Sequence, residues 1–468
     1  MINRHKRHTM KHYKRSAGRP IIAGLTAGML MVHGVIGVLP SQAHAEASDV
    51  SIRNWYSYQR ITVPELKPTW TANVDNYLNM NETYIGASAI AEEGKVFTFA
   101  GSKLVALDAT TGKRLWTYGK DLTPYIIYQS GVLYGLTSDH KPYALNAKTG
   151  KAKWQSVTST WIDTVQRTEV LVPTMDTLYV IKGSTTFALD IKSGKLRWSA
   201  DEPLGEGHGT EYLEEANGVV LRTFFVQGAL TSTQLNAYDK KTGKKLWGHF
   251  GQGEALQIKD GLVYSADYYT PMLGDDDESS PERKWKVNAY NLKTGVLKGS
   301  QEYTWKIPGD PPYENGYGGI FTSKDKLYIL QGDKIAEYSL TSTKSEPTPL
   351  RTFRSPHGEN MVWVGITQER LIFRNANTGE LTGIKLANGQ KVQWHGDAPV
   401  SQIDVYGKGM YRAQRNGTLL ALNTMTGQPA FRVSTGGDLH NTTLKTNVMI
   451  IIQAEGKLLG VKLPASLK

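Results

Sequence analysis

One pattern of apolar and polar positions recurs along the chain. In residues 104–116, LVALDATTGKRLW, apolar and polar-facing positions alternate for five residues, a polar stretch ends in glycine, and a second short alternation ends on tryptophan. A period of two belongs to a strand, not to a helix. Asp108 can accept backbone N–H groups two residues on and start a turn. Gly112 supplies the positive φ that ends it, and a type I turn closed by glycine with a G1 bulge is a common hairpin connection. The segment therefore predicts two antiparallel strands, called c and d, joined by a specified turn.

Near copies follow at residues 143–154 (YALNAKTGKAKW), 187–198 (FALDIKSGKLRW) and 236–247 (NAYDKKTGKKLW), and weaker ones at 288–299, 383–394 and 420–431. The turn glycines fall at Gly112, Gly150, Gly194, Gly243, Gly295, Gly389 and Gly427, with a degenerate turn bearing Thr343 between the fifth and sixth. Before the copies lie further strand-like runs such as GKVFTFAGSK (94–103) and DTLYVIKGS (176–184), which supply strands a and b. Four strands repeating every 38 to 52 residues predict an all-β fold, a single β-propeller of four-stranded antiparallel blades. A lone sheet of this kind cannot bury both faces, whereas radial stacking covers both. Two sandwiches in tandem would leave the recurring turn unexplained. The aromatics ending strand d (Trp116, Trp154, Trp198, Trp247, Phe353, Trp394, Phe431) are expected to plug the space between neighbouring blades. The stretch 447–463 supplies two strands and stops, and residues 66–74 (LKPTWTANV) look like a d strand with Trp70 and no partner. Joining the two closes the ring and makes nine units by count.

The repeat A-x-[DN]-x-x-[TS]-G-K-x-x-W resembles that of the pyrroloquinoline-quinone (PQQ) dehydrogenase-like propellers. That superfamily includes quinoprotein alcohol dehydrogenases and the non-enzymatic outer-membrane assembly lipoprotein BamB. The resemblance runs from about residue 70 to 463 and implies eight blades, one fewer than the count of copies. For the enzymes it implies a vicinal cysteine pair over the quinone, a calcium ion with Glu and Asn ligands, and a catalytic Asp. The chain has no cysteine, which removes the pair as well as the lipid-bearing residue of a BamB-like anchor. Neither PQQ nor calcium is expected as a cofactor, and no catalytic or metal-binding residue is assigned.

Charge changes the picture at one end. Residues 1–45 hold seven lysines and arginines, no carboxylate, an apolar run over 21–39 and an Ala-x-Ala site ending at Ala45. This is the pattern of a secretory signal peptide, an uncleaved membrane anchor being the other reading. Residues 46–65 form a lead-in and 66–468 the propeller. Beyond the signal, 47 Lys/Arg face 43 Asp/Glu, so the net +11 of the whole chain falls to +4 and gives no case for nucleic-acid binding. No second long apolar run follows, so no transmembrane segment is expected after signal removal. Export to the cell exterior or envelope, from a Gram-positive bacterium, fits a long basic signal and a cysteine-free chain.

The candidate chemistry is sparse. The acidic run at residues 274–282 lacks EF-hand spacing and reads as a solvated loop. His208, His357, His395 and His440 have no nucleophile or carboxylate at a telling spacing and read as exposed loop residues. His208, Tyr313, Tyr317 and His357 lie in loops rich in Gly and Pro, and are the tentative partner-binding residues. Trp161, Tyr268, Tyr269 and Trp305 are similar, although such rings more often pack under their own loops. The c–d turns carry Lys113, Arg114, Lys148, Lys151, Lys192, Lys195, Lys240, Lys241, Lys244, Lys245, Lys293 and Lys391. The d–a and b–c loops on the opposite face carry Asp201, Glu202, Glu206, Glu211, Asp275–Glu278, Asp310, Glu314, Glu359, Asp397 and Asp438. The expectation is a disc with one cationic and one acidic face, whose variable loops bind a protein or glycan partner without catalysis. The alternative is a PQQ- or calcium-dependent dehydrogenase or a sugar-directed enzyme.

Overall fold

The computed structural model describes residues 60–75, 89–160, 169–203, 209–227, 231–268, 281–306, 318–341, 346–356, 358, 361–367 and 369–468, all within one compact unit, Tyr56–Lys468. They form nine four-stranded antiparallel sheets. Blades 1 to 8 run in chain order: residues 89–118, 122–155, 169–201, 209–250, 252–306, 320–354, 361–394 and 400–434. Blade 9 takes its inner three strands from His440–Lys445, Met449–Ala454 and Lys457–Lys462, and its outer strand from Trp70–Asn73. Trp70 pairs with Gly460 and Asn73 with Lys457, so the two ends of the propeller close the ring as the sequence implies. The copy count of nine holds, and the eight blades implied by the family resemblance do not. The degenerate sixth unit, whose Thr343 lies outside the described residues, still forms a full blade.

The burial pattern follows from stacking. Middle strands such as Leu104–Asp108 and Thr177–Lys182 are buried on both faces, because each blade has a neighbour on either side. Outer strands alternate, as in Lys245–Phe250, where Trp247 is buried between exposed residues. Each strand-d aromatic does plug an inter-blade space. Trp198 packs with Val220 and Tyr238 of blade 4, Phe353 with Leu371 and Phe373 of blade 7, and Phe431 with Ile450 and Ile452 of blade 9.

The turn works in a way the spacing alone does not reveal. In blade 4, Asp239 Oδ1 accepts from the N–H groups of Lys241 and Thr242 (3.1 and 2.9 Å), and Gly243 N–H donates to Asp239 O at 2.8 Å. Gly243 has φ +70°, a left-handed conformation that glycine adopts freely. Trp198 of blade 3 lies flat against this glycine, so that a Cβ there would meet its ring carbons at 2.5 Å. The indole N–H then donates to Lys240 O at 2.7 Å. The same lock joins Trp70 to Gly112 and Ala109 O, Trp116 to Gly150 and Ala147 O, Trp154 to Gly194 and Ile191 O, and Trp247 to Gly295 and Leu292 O. Asp239 N–H donates to Lys244 O at 2.8 Å, so Gly243 and Lys244 together oppose Asp239, the glycine bulge that the sequence implies; a second register shift follows one residue before the aromatic, between Ala237 and Tyr238 on the partner strand. The extra residue, Leu246, turns the tryptophan onto the neighbouring blade.

The lock is absent further round. Trp394 is buried against Gly383 of its own blade, and its indole nitrogen has no partner among the described residues. No described side chain comes within 4 Å of where a Cβ on Gly389 would stand. Here the lead-in takes over. Ile61 N–H donates to Asp397 Oδ2 (2.8 Å), Arg432 N–H to Pro64 O (2.9 Å) and Leu66 N–H to Arg432 O (2.8 Å). Arg432 also pairs with Asp397. Ile61 and Val63 pack on the core between blades 7 and 8, and Leu66 on that between blades 8 and 9. This strap covers the outer edge of blade 8, which would otherwise present unpaired backbone groups.

Candidate functional site

The two-faced disc needs correction. With four antiparallel strands, the a–b hairpins emerge on the same side as the c–d turns. They bring Glu93, Asp176, Glu215, Asp260, Asp325 and Glu369 to or near the cationic turns. Lys240 is bound there by Asp176 (2.8 Å) and Glu215 (2.5 Å), and Arg197 by Asp190 at 2.6 Å. That pair, with the Ser193 hydroxyl, holds the Asp190 carboxyl down at about 2. Charge on that face is therefore interleaved, not uniformly positive.

The opposite face loses acidity in a similar way. Glu202 is nearly buried, accepts from Tyr238 Oη at 2.6 Å and pairs with Lys245 at 3.0 Å. Asp397 is matched by Arg432. The tentative partner-binding residues His208, Tyr313, Tyr317 and His357 lie outside the described residues, as do Trp161, Tyr269 and the acidic run Asp275–Glu278. Tyr268 meets Trp285 edge-on at 5.1 Å, and Trp305 is buried in the core shared with blade 6. His440 is not an exposed loop residue. It begins the inner strand of blade 9, is 7% exposed, and shares a hydrogen bond of 2.9 Å with Thr435 Oγ1. Burial pushes its imidazole below the ordinary value.

What remains on this face is a constellation at the inner ends of blades 2 to 5. Glu169 opens the inner strand of blade 3 and is fully buried. One carboxylate oxygen lies 2.5 Å from His140 Nδ1 in the b–c loop of blade 2, and the other 3.5 Å from buried Lys182 Nζ. Strand alternation turns Glu169 and Lys182 toward blade 2, so their neighbours Val170 and Ile181 face blade 4. There they line a cavity of about 340 Å³, completed by Gly183, Gly209, Thr210, Glu211, Tyr212, Phe225 and Glu254. Gly209 packs so tightly on the Gly183 carbonyl that no side chain would fit. Behind this wall Arg222, fully buried, donates to Gly183 O at 3.1 Å, Thr210 O at 2.9 Å and Thr186 Oγ1. Burial lowers its guanidinium to about 10. Tyr125, on the inner strand of blade 2, accepts from Leu171 N–H at 2.8 Å. Burial pushes its phenol up to about 12, and the Glu211 and Glu169 charges add to the rise.

Among these, sequence reasoning singled out only Glu211, as one acidic loop residue among many. The available signal was local: Gly209-Thr210-Glu211 and Gly253-Glu254 each place a carboxylate just after a glycine at the start of an inner strand. Which of these side chains share one cavity does not follow from either stretch.

The donor set does not suit a calcium–quinone pair. The chain has no cysteine, and no three His, Asp or Glu side chains among the described residues are placed to hold a metal ion. Both oxygens of Glu169 already face Lys182 and His140.

Nine blades, closed by the two ends and built on the Trp–Gly repeat, define a β-propeller protein of PQQ-like repeats. Residues 67–231 match the family model described as outer membrane protein assembly factor BamB. The chain is 29% identical over 294 residues to a quinoprotein ethanol dehydrogenase of Pseudomonas aeruginosa, covering 55% of this chain and 40% of that one. It is 25% identical over 354 residues to a tetrathionate hydrolase of Acidithiobacillus ferrooxidans, covering 67% of this chain and 64% of that one. It thus spans less than two thirds of the length of either relative. A crystal structure of BamB from Moraxella catarrhalis aligns with 85% of this chain and all of that one, at 15% identity and a TM-score of 0.40.

Proposed function

We propose that this propeller is a non-enzymatic binding scaffold, exported to the cell envelope or exterior, that holds a protein or glycan partner on the face formed by its b–c and d–a loops. The observation that carries the reading is the cavity of blades 3 to 5. It combines an apolar floor, two aromatic side chains and two carboxylates in one concavity, the composition of a recognition site. The nearby groups with catalytic potential are tied down: Glu169 is held between a lysine and a histidine, and Arg222 by backbone carbonyls. The family model matched by residues 67–231, that of an assembly factor, is in keeping with a scaffold. The dehydrogenase relative favours the alternative of an enzyme. Two measurements separate them. The purified protein used as bait in an envelope extract retains a stoichiometric partner if the reading is right. Dye reduction after adding PQQ and calcium ions to the purified protein would overturn it.

A further inference from the structure

We infer that Asn416 is a self-modifying site, whose side-chain amide is converted to a carboxylate through attack by the backbone nitrogen of Gly417. This stands apart from the binding reading, and it places new charge on the same face of b–c and d–a loops. Arg415, Asn416 and Gly417 join strands b and c of blade 8, Gly409–Gln414 and Thr418–Asn423. The turn is anchored on either side. Arg415 N–H donates to Pro399 O at 2.8 Å, and Gly417 O accepts from Thr435 N–H at 2.8 Å. The amide between Asn416 and Gly417 has no hydrogen-bond partner among the described residues. Gly417, at φ +74°, has no Cβ to shield its nitrogen.

The side chain is set up to be attacked. Asn416 is exposed and lines a cavity of about 290 Å³ with Arg60, Asp397, Thr418 and Arg432. Thr418 Oγ1 donates to Asn416 Oδ1 at 2.7 Å, and Arg432 donates to Thr418 Oγ1 at 3.1 Å. Thr418 Oγ1 also lies 3.2 Å from Gln414 Oε1, a longer contact than the one to Asn416. A chain of donors that begins on a cation polarises the amide carbonyl. The negative charge that develops on Oδ1 during attack is stabilised by the hydroxyl aimed at it. Arg60 and Arg432 in the cavity, with Arg415 beside it in the chain, outnumber Asp397. Their field favours loss of the Gly417 amide proton and an anionic product. The only co-reactant is water. Gly417 N bonds to Asn416 Cγ, its proton passes to water, and the side-chain nitrogen leaves as ammonia. Water then opens the cyclic imide at either carbonyl, giving aspartate or isoaspartate. The other described Asn–Gly pairs lack this set. At Asn388, the Gly389 N–H is held by Lys385 O at 2.8 Å. Asn217, at φ +49° in the a–b turn of blade 4, has no donor on its side-chain oxygen among the described residues.

The test is peptide mapping by mass spectrometry of the purified protein aged in mildly alkaline buffer, with chymotryptic digestion and fragmentation that tells aspartate from isoaspartate. In the folded protein Asn416 should lose ammonia several-fold faster than Asn388 or Asn217. In urea, where local sequence alone sets the rate, the three should converge. Thr418→Val should slow conversion of Asn416 several-fold and leave Asn217 unchanged, and Thr418→Ser, which keeps the hydroxyl, should restore it. Circular dichroism shows whether each variant folds; if Thr418→Val does not, the comparison of folded with urea-unfolded wild type decides alone. Slower conversion of Asn416 in the folded protein than in urea, a folded rate no higher than that of Asn388 or Asn217, or equal rates in wild type and folded Thr418→Val would each overturn the inference. None of these outcomes bears on partner capture from the envelope extract, so the two readings fail independently.

Discussion

The Trp–Gly lock makes a sharp comparison possible, because the chain contains the same turn with and without it. Gly243 (φ +70°) has the Trp198 ring against it; Gly389 (φ +71°) has open space. Gly→Ala at either site forces a side chain into the left-handed region, at about 1–2 kcal/mol. At Gly389 nothing is added. At Gly243 the new methyl stands 2.5 Å from the indole, so the ring must move. That strains the packed interface by roughly 1–3 kcal/mol and breaks the hydrogen bond to Lys240 O, a net loss of about 1 kcal/mol. The expectation is about 1–2 kcal/mol for Gly389→Ala and roughly 3–6 kcal/mol for Gly243→Ala, the sum of these terms. Stacked repeats need not unfold in one step, so the comparison is best made on the first urea transition, followed by tryptophan fluorescence and circular dichroism. A third variant gives the control. With Trp198→Ala already in place, Gly243→Ala should cost no more than Gly389→Ala, a non-additivity that isolates the contact. Equal shifts for Gly243→Ala and Gly389→Ala in the wild-type background would refute the account of why the turn and the aromatic recur together.

Other expectations follow from the same contacts. Glu254→Gln should raise the melting temperature at neutral pH. A carboxyl whose folded value is raised disfavours folding above that value, and the penalty fades as pH falls below the unfolded value near 4. A gain persisting at low pH would contradict this. His440→Gln should flatten the loss of stability below about pH 6.5: the imidazole is depressed by burial, so the unfolded chain takes up its proton first and acid favours unfolding. Arg222→Met should cost about 2–4 kcal/mol by stranding the Gly183 and Thr210 carbonyls, read as a lower urea midpoint. Ile61→Asp, which lifts the strap from blades 7 and 8, should speed proteolysis within residues 391–434 while leaving blades 1 to 5 protected; uniform cleavage would show that the strap stabilises nothing local.

Much of the architecture was legible because the repeat encodes it three times over. Alternation marks strands, Asp or Asn with Gly marks the turn, and the aromatic marks the interface. Even the closing strand at Trp70 could be recognised, since its indole reproduces what Trp116 and Trp154 do. The blade number followed the copies and not the family. What stayed hidden was long-range. The glycine looks like a conformational device, and its second role, admitting the neighbouring ring, needs the adjacent blade. The lysines of the turns look like one charged surface until antiparallel order places Asp176 and Glu215 beside Lys240. Glu169, His140 and Lys182 are far apart in sequence and carry no motif, and Glu254 becomes distinctive only when Glu211 faces the same cavity.

The uneven distribution of locks bears on where a partner can be held. Complete locks join blade 9 to 1 and each blade to the next through blade 5; the interfaces of blades 7, 8 and 9 rely on aromatic plugs and the strap. The cavity draws its walls from blades 3, 4 and 5, and both interfaces it crosses carry a full lock. Trp198 and Trp247 clamp those blades at their outer strands, so the inner strands that line the cavity stay in register. Weakening either clamp, by Trp198→Phe or Trp247→Phe, removes the indole hydrogen bond across the interface and should lower the first urea transition by about 1 kcal/mol. Trp394→Phe, at a buried tryptophan whose indole nitrogen has no partner among the described residues, has no such bond to lose and should cost less; equal losses for all three variants would refute the clamp.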